Sequence, residues 1–337
     1  MKVINRFTLT TLIFLTFSNY SLTDTQNSEL YVIGFGSCLT EKREQPIWSA
    51  IKEENLNEFF FMGDNVYGDN TETGELDDMK VAYALQKEKL PKWLNNINVN
   101  AIWDDHDYGK NDGGEEYEYK AQSQELFLDF WKVPENDPRR TRKGIYFSQI
   151  IDIHNHKVNL IGLDTRYHRS ALGQEDKPYS AVDDISKTML GEKQWDWLAS
   201  ELRRNSNLNI IVSSIQVIPT SHGFEKWGNF PLERSKLLEM IEDSNTPTVI
   251  VSGDRHKAAL YKKGNVIELT SSSMNKPLPN YISKIWDLIS KETDAYLIGE
   301  MFYPENYGTV SFNENGKILI ELKDINGEAI NSIELKL

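Results

Sequence analysis

The sequence predicts an α/β layered fold, and three observations carry that expectation. Short apolar runs rich in Ile, Val and Phe alternate with longer amphipathic stretches along most of the chain, the order that builds sheets with crossover helices. The runs are near-continuous rather than alternating, as strands covered on both faces are. Most of them end in acidic, small or metal-competent residues, at the carboxyl ends of strands where open α/β sheets bind ligands.

A first strand is expected at 30–35, ahead of Gly36-Ser37-Cys38. A helix pattern over 45–54 leads to a strand at 59–62 and the run Gly63-Asp64-Asn65-Val66-Tyr67. A long helix pattern, 77–95, precedes a strand at 99–103 that runs into Asp104-Asp105-His106-Asp107, and another helix is expected at 120–131. His154 and His156 flank a hairpin turn, and the strand at 158–163 ends in Asp164-Thr165-Arg166. Leu190-Gly191-Glu192 followed by Trp195, Leu198 and Leu202 has the spacing of a helix with one buried stripe, 192–204. Strands at 210–213, 248–251 and 266–269 surround a helix at 232–242, and 248–251 continues into Ser252-Gly253-Asp254-Arg255-His256. From about Gly299 the chain changes character: 307–312, 317–322 and 332–337 read as strands joined by Glu-Asn-Gly and Ile-Asn-Gly-Glu turns, an antiparallel meander. The polar segments 109–119 and 167–187 are expected to be loops over a site.

Composition narrows the function. The chain has 337 residues, 39% of them hydrophobic, enough for a large core, and a formal net charge of −14. That balance repels phosphate backbones and argues against nucleic-acid binding. A single cysteine rules out an intrachain disulfide. Lys2 and Arg6 precede an uncharged apolar run, 7–17, and polar residues through Ser21, the order of a secretory signal peptide. The expectation is a leader over 1–21, export to the periplasm or beyond, and one catalytic unit over 28–337 with the strands of 299–337 packed on it. The apolar run is far short of the ~20 residues a membrane span needs, and no other stretch reads as one.

Five strand-end clusters in phase would bring carboxylates, two histidines, a thiol and two arginines into one cleft. Carboxylates so close need compensating cations. Hard oxygens suit Ca²⁺, Mg²⁺ or Mn²⁺, whereas a thiol and a phenol beside imidazole suit a transition metal such as iron. No Cys-x-x-Cys or His-Glu-x-x-His spacing is present. The chemistry such a centre supports is phosphoester hydrolysis: two metals about 3.5–4 Å apart clamp phosphate and activate a bound water as nucleophile. An arginine holds the phosphoryl oxygens and a histidine protonates the leaving group.

The ordered set Gly36-Ser37-Cys38, Gly63-Asp64-x-x-Tyr67, Trp103-Asp104-Asp105-His106-Asp107, Asp164-Thr165-Arg166, Leu190-Gly191-x-x-Gln194-x-x-Trp197-Leu198 and Ser252-Gly253-Asp254-x-His256 resembles the alkaline phosphatase D (PhoD-like) family of the metallophosphoesterase superfamily. The resemblance implies a four-layer α/β/β/α sandwich, export, and hydrolysis of phosphomonoesters or phosphodiesters with two or more metal ions, Ca²⁺ and Fe³⁺. By position it implies Cys38, Asp64 and Tyr67 as ligands of one metal, with Asp64 bridging. Asp105, Asn111, Asp254 and His256 are the further ligands so implied, with His106 as the acid and Arg166 as the phosphate clamp. Longer family members carry an extra N-terminal β domain that is not seen here. The superfamily's usual Asp-x-His opening is also missing, which argues against a centre of zinc or manganese alone.

Taken singly, these residues have plainer readings. Cys38 would be a buried hydrophobe, Asp64 and Asp254 helix caps, and Arg166 the partner of a structural carboxylate. A cap explains one acid and not five clusters. Asp104 and Asp107 are expected behind the ligands rather than among them. Three functions follow: a secreted metal-dependent phosphatase; a phosphodiesterase or phospholipase acting on lipid or polymer phosphodiesters; and, in another class, a calcium-dependent binding protein with an inactive site.

Overall fold

The structure, a computed structural model, describes residues 30–69, 75–174, 177–278 and 294–337. The leader expected at 1–21 lies outside them. Strands β1 (Tyr31–Gly36), β2 (Glu58–Met62) and β3 (Asn98–Ile102) alternate with helices α1 (Trp48–Glu53) and α2 (Asp77–Lys89). Two helices follow, α3 (Asp105–Tyr108) and α4 (Lys120–Phe130), then β4 (Phe147–Ile153), β5 (His156–Gly162), α5 (Glu192–Leu202), β6 (Leu208–Ser213), α6 (Pro231–Asp243) and β7 (Thr248–Ser252). The chain ends in β8 (Ala258–Lys263), β9 (Val266–Thr270), β10 (Leu297–Phe302), β11 (Asn306–Phe312), β12 (Lys317–Asp324) and β13 (Ala329–Lys336).

The strands form two sheets, ordered β13-β12-β11-β1-β2-β3 and β10-β8-β9-β7-β6-β5-β4. In the first, β1, β2 and β3 run parallel and β11–β13 antiparallel. In the second, β5, β6, β7 and β9 are parallel, with antiparallel strands outside them. Side chains alternate along each strand. Val158, Leu160, Ile210, Val212, Val249 and Val251 therefore face the first sheet in a shared core, while Ile161, Ile211 and Ile250 face α5 and α6. Phe60 of β2 stacks on Phe147 of β4 across the sheet interface, with ring centroids 5.8 Å apart. Phe59 and Phe61 point the other way, onto Trp48 of α1 and Trp131 at the end of α4. The result is the four-layer α/β/β/α sandwich that the resemblance implies.

Buried Trp195, Leu198 and Leu202 form the stripe read for α5, each contributing roughly 1.5–3 kcal/mol by leaving water. The helix pattern at 77–95 is cut short. Pro91 lacks an N–H and disfavours helix at Leu90, so the chain turns there and resumes as a 3-10 turn, Lys92–Asn96. The pattern at 45–54 yields only α1, the last of its turns. Strand β4, the first arm of the hairpin around His154 and His156, and strands β8 and β10 were not anticipated. β4 and β10 are the edges of the second sheet, where half-exposed strands lose the continuous apolar signature; β8 is largely buried, but its apolar run, Ala258–Tyr261, is only four residues long. Segments 109–119 and 167–187 form no helix or strand among their described residues.

Candidate active site

Four residues that leave strand ends adopt left-handed backbone conformations: Cys38 (φ 55°), Asp64 (φ 53°), Asp254 (φ 68°) and His256 (φ 52°). Such conformations cost of order 1–3 kcal/mol each and gather where function holds them. Gly63 is required between them: at φ 104°, a Cβ there would lie 2.5 Å from Asp104 Cβ and 2.8 Å from the Asp104 backbone nitrogen. Asp107 locks the two loops together. Its carboxylate accepts the backbone N–H of Asp104 at 2.6 Å, of Asp64 at 3.2 Å and of Asn65 at 3.4 Å.

The turns bring distant donors together. Cys38, Asp64 and His256 offer ligand atoms within 4.8 Å of one another, as do Asp64, Asp105 and His106, and Asp64, Asp104, Asp105 and Asp254. Asp64 belongs to all three groups. Its Oδ2 lies 3.4 Å from Cys38 Sγ and accepts the Tyr67 hydroxyl at 2.8 Å. The Asp112 N–H donates to Asp105 Oδ2 at 2.8 Å. His256 Nδ1 lies 2.7 Å from the Lys276 carbonyl oxygen. A carbonyl only accepts, so Nδ1 carries the proton and Nε2 is left as the lone-pair nitrogen. His106 Nδ1 meets Asp69 Oδ1 at 2.8 Å, and its ring packs 4.3 Å from that of Tyr67.

The electrostatics show what the cluster lacks. Asp64 Oδ1, Asp104 Oδ2 and Asp105 Oδ1 are buried without a hydrogen-bond partner. Burial, with the neighbouring Cys38 and acids, pushes the Asp64 carboxyl well above its ordinary range, and burial does the same to Asp104. Asp254 rises to about 6 through burial and the nearby Asp105. Burial also works against Asp105, but His106, Arg166 and the Asp112 N–H overcome it and hold that carboxyl low. His106 is opposed by burial yet raised to about 10 by Asp105, Asp64 and Asp69. His256 is lowered to about 4 by burial and Lys276. Bare carboxylate oxygens facing one another, a thiol and a neutral imidazole form a donor set that fits metal cations.

Of the nine residues singled out, seven stand together here: Cys38, Asp64, Tyr67, Asp105, His106, Asp254 and His256. Asn111 is exposed on the rim of a cleft of about 180 Å³ that Asp105, His106, Asp254 and His256 also line, and it donates to Asp112 Oδ2 at 2.9 Å. Arg166, expected to clamp phosphate, is wholly buried: Nε donates to Asp104 Oδ1 at 2.7 Å and Nη1 to Glu225 Oε2 at 2.5 Å. Both arms are taken by acids behind the cleft, whose basic lining comes instead from Lys177, Arg255 and Lys257. Asp104 offers an oxygen within 4.8 Å of those of Asp64, Asp105 and Asp254. Ser272 was missed. Its Oγ lies 3.2 Å from Cys38 Sγ and accepts the His256 N–H at 2.9 Å; the strand-end rule, applied to β9, would have pointed to it. A larger cavity, about 570 Å³, lies among Phe61, Leu94, Phe130 and Trp131 on the outer side of the first sheet and holds none of these groups.

Residues 34–323 match the family described as PhoD-like phosphatase. None of the curated proteins matches the chain in sequence. Among solved structures, one titled as the structure of PhoD is similar at 16% identity and a TM-score of 0.65, covering 91% of this chain and 68% of that one. GAP50 of Plasmodium, described as the anchor in the inner membrane complex, is similar at 13% identity and a TM-score of 0.61, covering 91% and 89%. A purple acid phosphatase from yellow lupin (Lupinus luteus) seeds is similar at 10% identity and a TM-score of 0.60, covering 92% and 54%.

Proposed function

The chain belongs to the PhoD-like phosphatase family and is a metal-dependent phosphoric ester hydrolase; we propose that it is an exported phosphatase working through a multi-metal centre bridged by Asp64. The observation that carries this is the sharing of Asp64 by three donor groups, since one carboxylate common to all is what holds cations side by side. Cys38, Tyr67 and His256 are the softer and phenolic donors, suited to iron. Asp105, Asp254 and Asn111 are the oxygen donors, suited to calcium. Metal ions bound there supply Lewis acidity toward the phosphoryl oxygens and make water acidic enough to act as the nucleophile.

The chain's own residues do the remainder. His106 lines the cleft, placed to give a proton to the departing oxygen of the ester. Asp69, on Nδ1, fixes the ring so that Nε2 is the donating atom. Lys177, Arg255 and Lys257, which also line the cleft, orient the anionic substrate. The positive, apolar and polar order of 1–21 supports export, and among the described residues no helix is long and apolar enough to cross a membrane.

A second reading keeps the site and changes the ester. Phe224, Leu278 and Tyr303 also line the cleft and would accommodate the apolar part of a lipid or polymer phosphodiester. Initial rates on p-nitrophenyl phosphate and bis(p-nitrophenyl) phosphate decide between them. The proposal expects monoester turnover that chelation abolishes and Ca²⁺ restores. Full turnover by protein shown to be free of metal would reject it.

A further inference from the structure

Among the described residues, the side-chain donors to the Asp104 carboxylate all fall on one oxygen. Arg166 Nε lies 2.7 Å and Nη2 2.5 Å from Asp104 Oδ1, and Ser214 Oγ donates to the same atom at 2.6 Å. Oδ2 is buried with no partner. A guanidinium beside a carboxylate ordinarily engages both oxygens in a fork; here it saturates one and leaves the other bare, in the same group as Asp64, Asp105 and Asp254.

Arg166 is itself held from behind. Its Nη1 meets Glu225 Oε2 at 2.5 Å, and the other oxygen of Glu225 lies 2.8 Å from Arg169 Nε. Asp104, Arg166, Glu225 and Arg169 are all buried. Four charges taken out of water bring little stability over an apolar filling of the same volume, so their arrangement calls for a role other than stability.

We infer that Asp104 is a further carboxylate ligand of the metal centre, and that Arg166, fixed by Glu225, is the positioning residue that presents its bare oxygen. The inference rests on the metal-centre reading above. It removes Arg166 from the substrate: the guanidinium sets the angle and charge of a ligand, and Glu225 keeps that guanidinium from being drawn across both oxygens.

The test uses the full chain, stripped of metal with chelator, as wild type, Asp104→Asn and Glu225→Gln. Each is titrated calorimetrically with Ca²⁺ and with Mn²⁺, then assayed on p-nitrophenyl phosphate at saturating metal. Asn keeps an oxygen for Arg166 and Ser214 and replaces the bare oxygen with an amide nitrogen, which does not ligate hard cations. Cation affinity is expected to fall by at least about tenfold in Asp104→Asn and by about tenfold in Glu225→Gln, the lower end of the loss seen when groups behind a ligand are removed. The KM of Glu225→Gln at saturating metal should be unchanged. Wild-type affinity in Asp104→Asn overturns the inference. So does a raised KM in Glu225→Gln with cation binding intact, the signature of an arginine on the substrate. Should circular dichroism show Asp104→Asn unfolded, Glu225→Gln decides alone, and unchanged affinity there rejects the inference. Wild-type protein that binds neither cation removes the metal-centre reading itself, a failure visible before any variant is made.

Discussion

Cys38 Sγ lies 3.4 Å from Asp64 Oδ2, in a contact made by two residues that each leave a parallel strand in a left-handed turn. Neither side chain could reach the other from an extended backbone continuing its strand. The centre is thus built by neighbouring strand ends bending toward each other, and the sheet register Gly36↔Phe61 fixes how far apart the bends begin.

Asp64→Asn should separate stability from activity. Burial and the neighbouring Cys38 oppose the Asp64 charge, so the neutral amide should raise the melting temperature in chelator while abolishing the metal-induced rise. Activity should drop beyond the roughly 10–100-fold typical of groups behind a ligand. Differential scanning calorimetry with and without Ca²⁺ checks both. A lower melting temperature in chelator would contradict the electrostatic account.

Metal-free protein should lose stability as pH rises from 5 to 8 (~ the span in which these groups titrate). Burial raises Asp107 to about 7 and Asp254 to about 6, and acids raise His106 to about 10 against its burial. Each of these groups binds more protons folded than unfolded, the carboxyls between about pH 4 and 7 and the histidine above about 6.5. Stability therefore declines through both windows. Asp105, held low, acts in the opposite sense only in acid, while His256, lowered to about 4, and His222, lowered by its burial, oppose the decline up to their unfolded value of about 6.5, so the fall is steepest above it. Urea midpoints at several pH values in chelator should fall toward pH 8, and added Ca²⁺ should restore them there.

Asp107→Ala should be among the most damaging changes in the chain. It leaves the Asp104, Asp64 and Asn65 amides without an acceptor in a buried loop junction, at about 1–3 kcal/mol each. A loss of roughly 3–6 kcal/mol is a large share of the ~5–15 kcal/mol that holds a typical domain folded. Equilibrium urea unfolding measures it, and a loss under ~1 kcal/mol would show that water replaces the carboxylate.

Gly63→Ala should disable the site without disturbing the sheets. A methyl group meets Asp104 at 2.5 Å and requires a conformation, φ 104°, that side chains avoid. The β2–α3 junction must shift, separating Asp64 from Asp104. Metal binding should weaken at least about tenfold with far-ultraviolet circular dichroism unchanged.

Most of this site was legible because strand ends are legible. A run of Phe and Ile followed by Gly-Asp or Asp-Asp-His locates both the sheet and its ligand-binding edge, so Cys38, Asp64, Asp105 and Asp254 could be placed together before any contact was known. What escaped was direction. Nothing in Asp164-Thr165-Arg166 says that the guanidinium turns inward to Asp104 and Glu225, because Glu225 comes from a distant loop without periodicity. Which oxygen of Asp104 Arg166 and Ser214 occupy is likewise absent from local sequence, because pairing across the sandwich is not written there. Strands β4 and β10 are sheet edges, where half-exposure blurs the apolar pattern, and buried β8 carries an apolar run too short to stand out.

Strand β1 lies between β2, its parallel neighbour from early in the chain, and β11, which pairs Tyr31 with Phe312. During synthesis, then, the strand that delivers the sole thiol spends nearly the whole of translation with one flank bare. Its ladder closes only after the far end has emerged. A truncation ahead of Asn306 would remove β11 and leave that flank of β1 an open sheet edge, exposed to pairing with other chains.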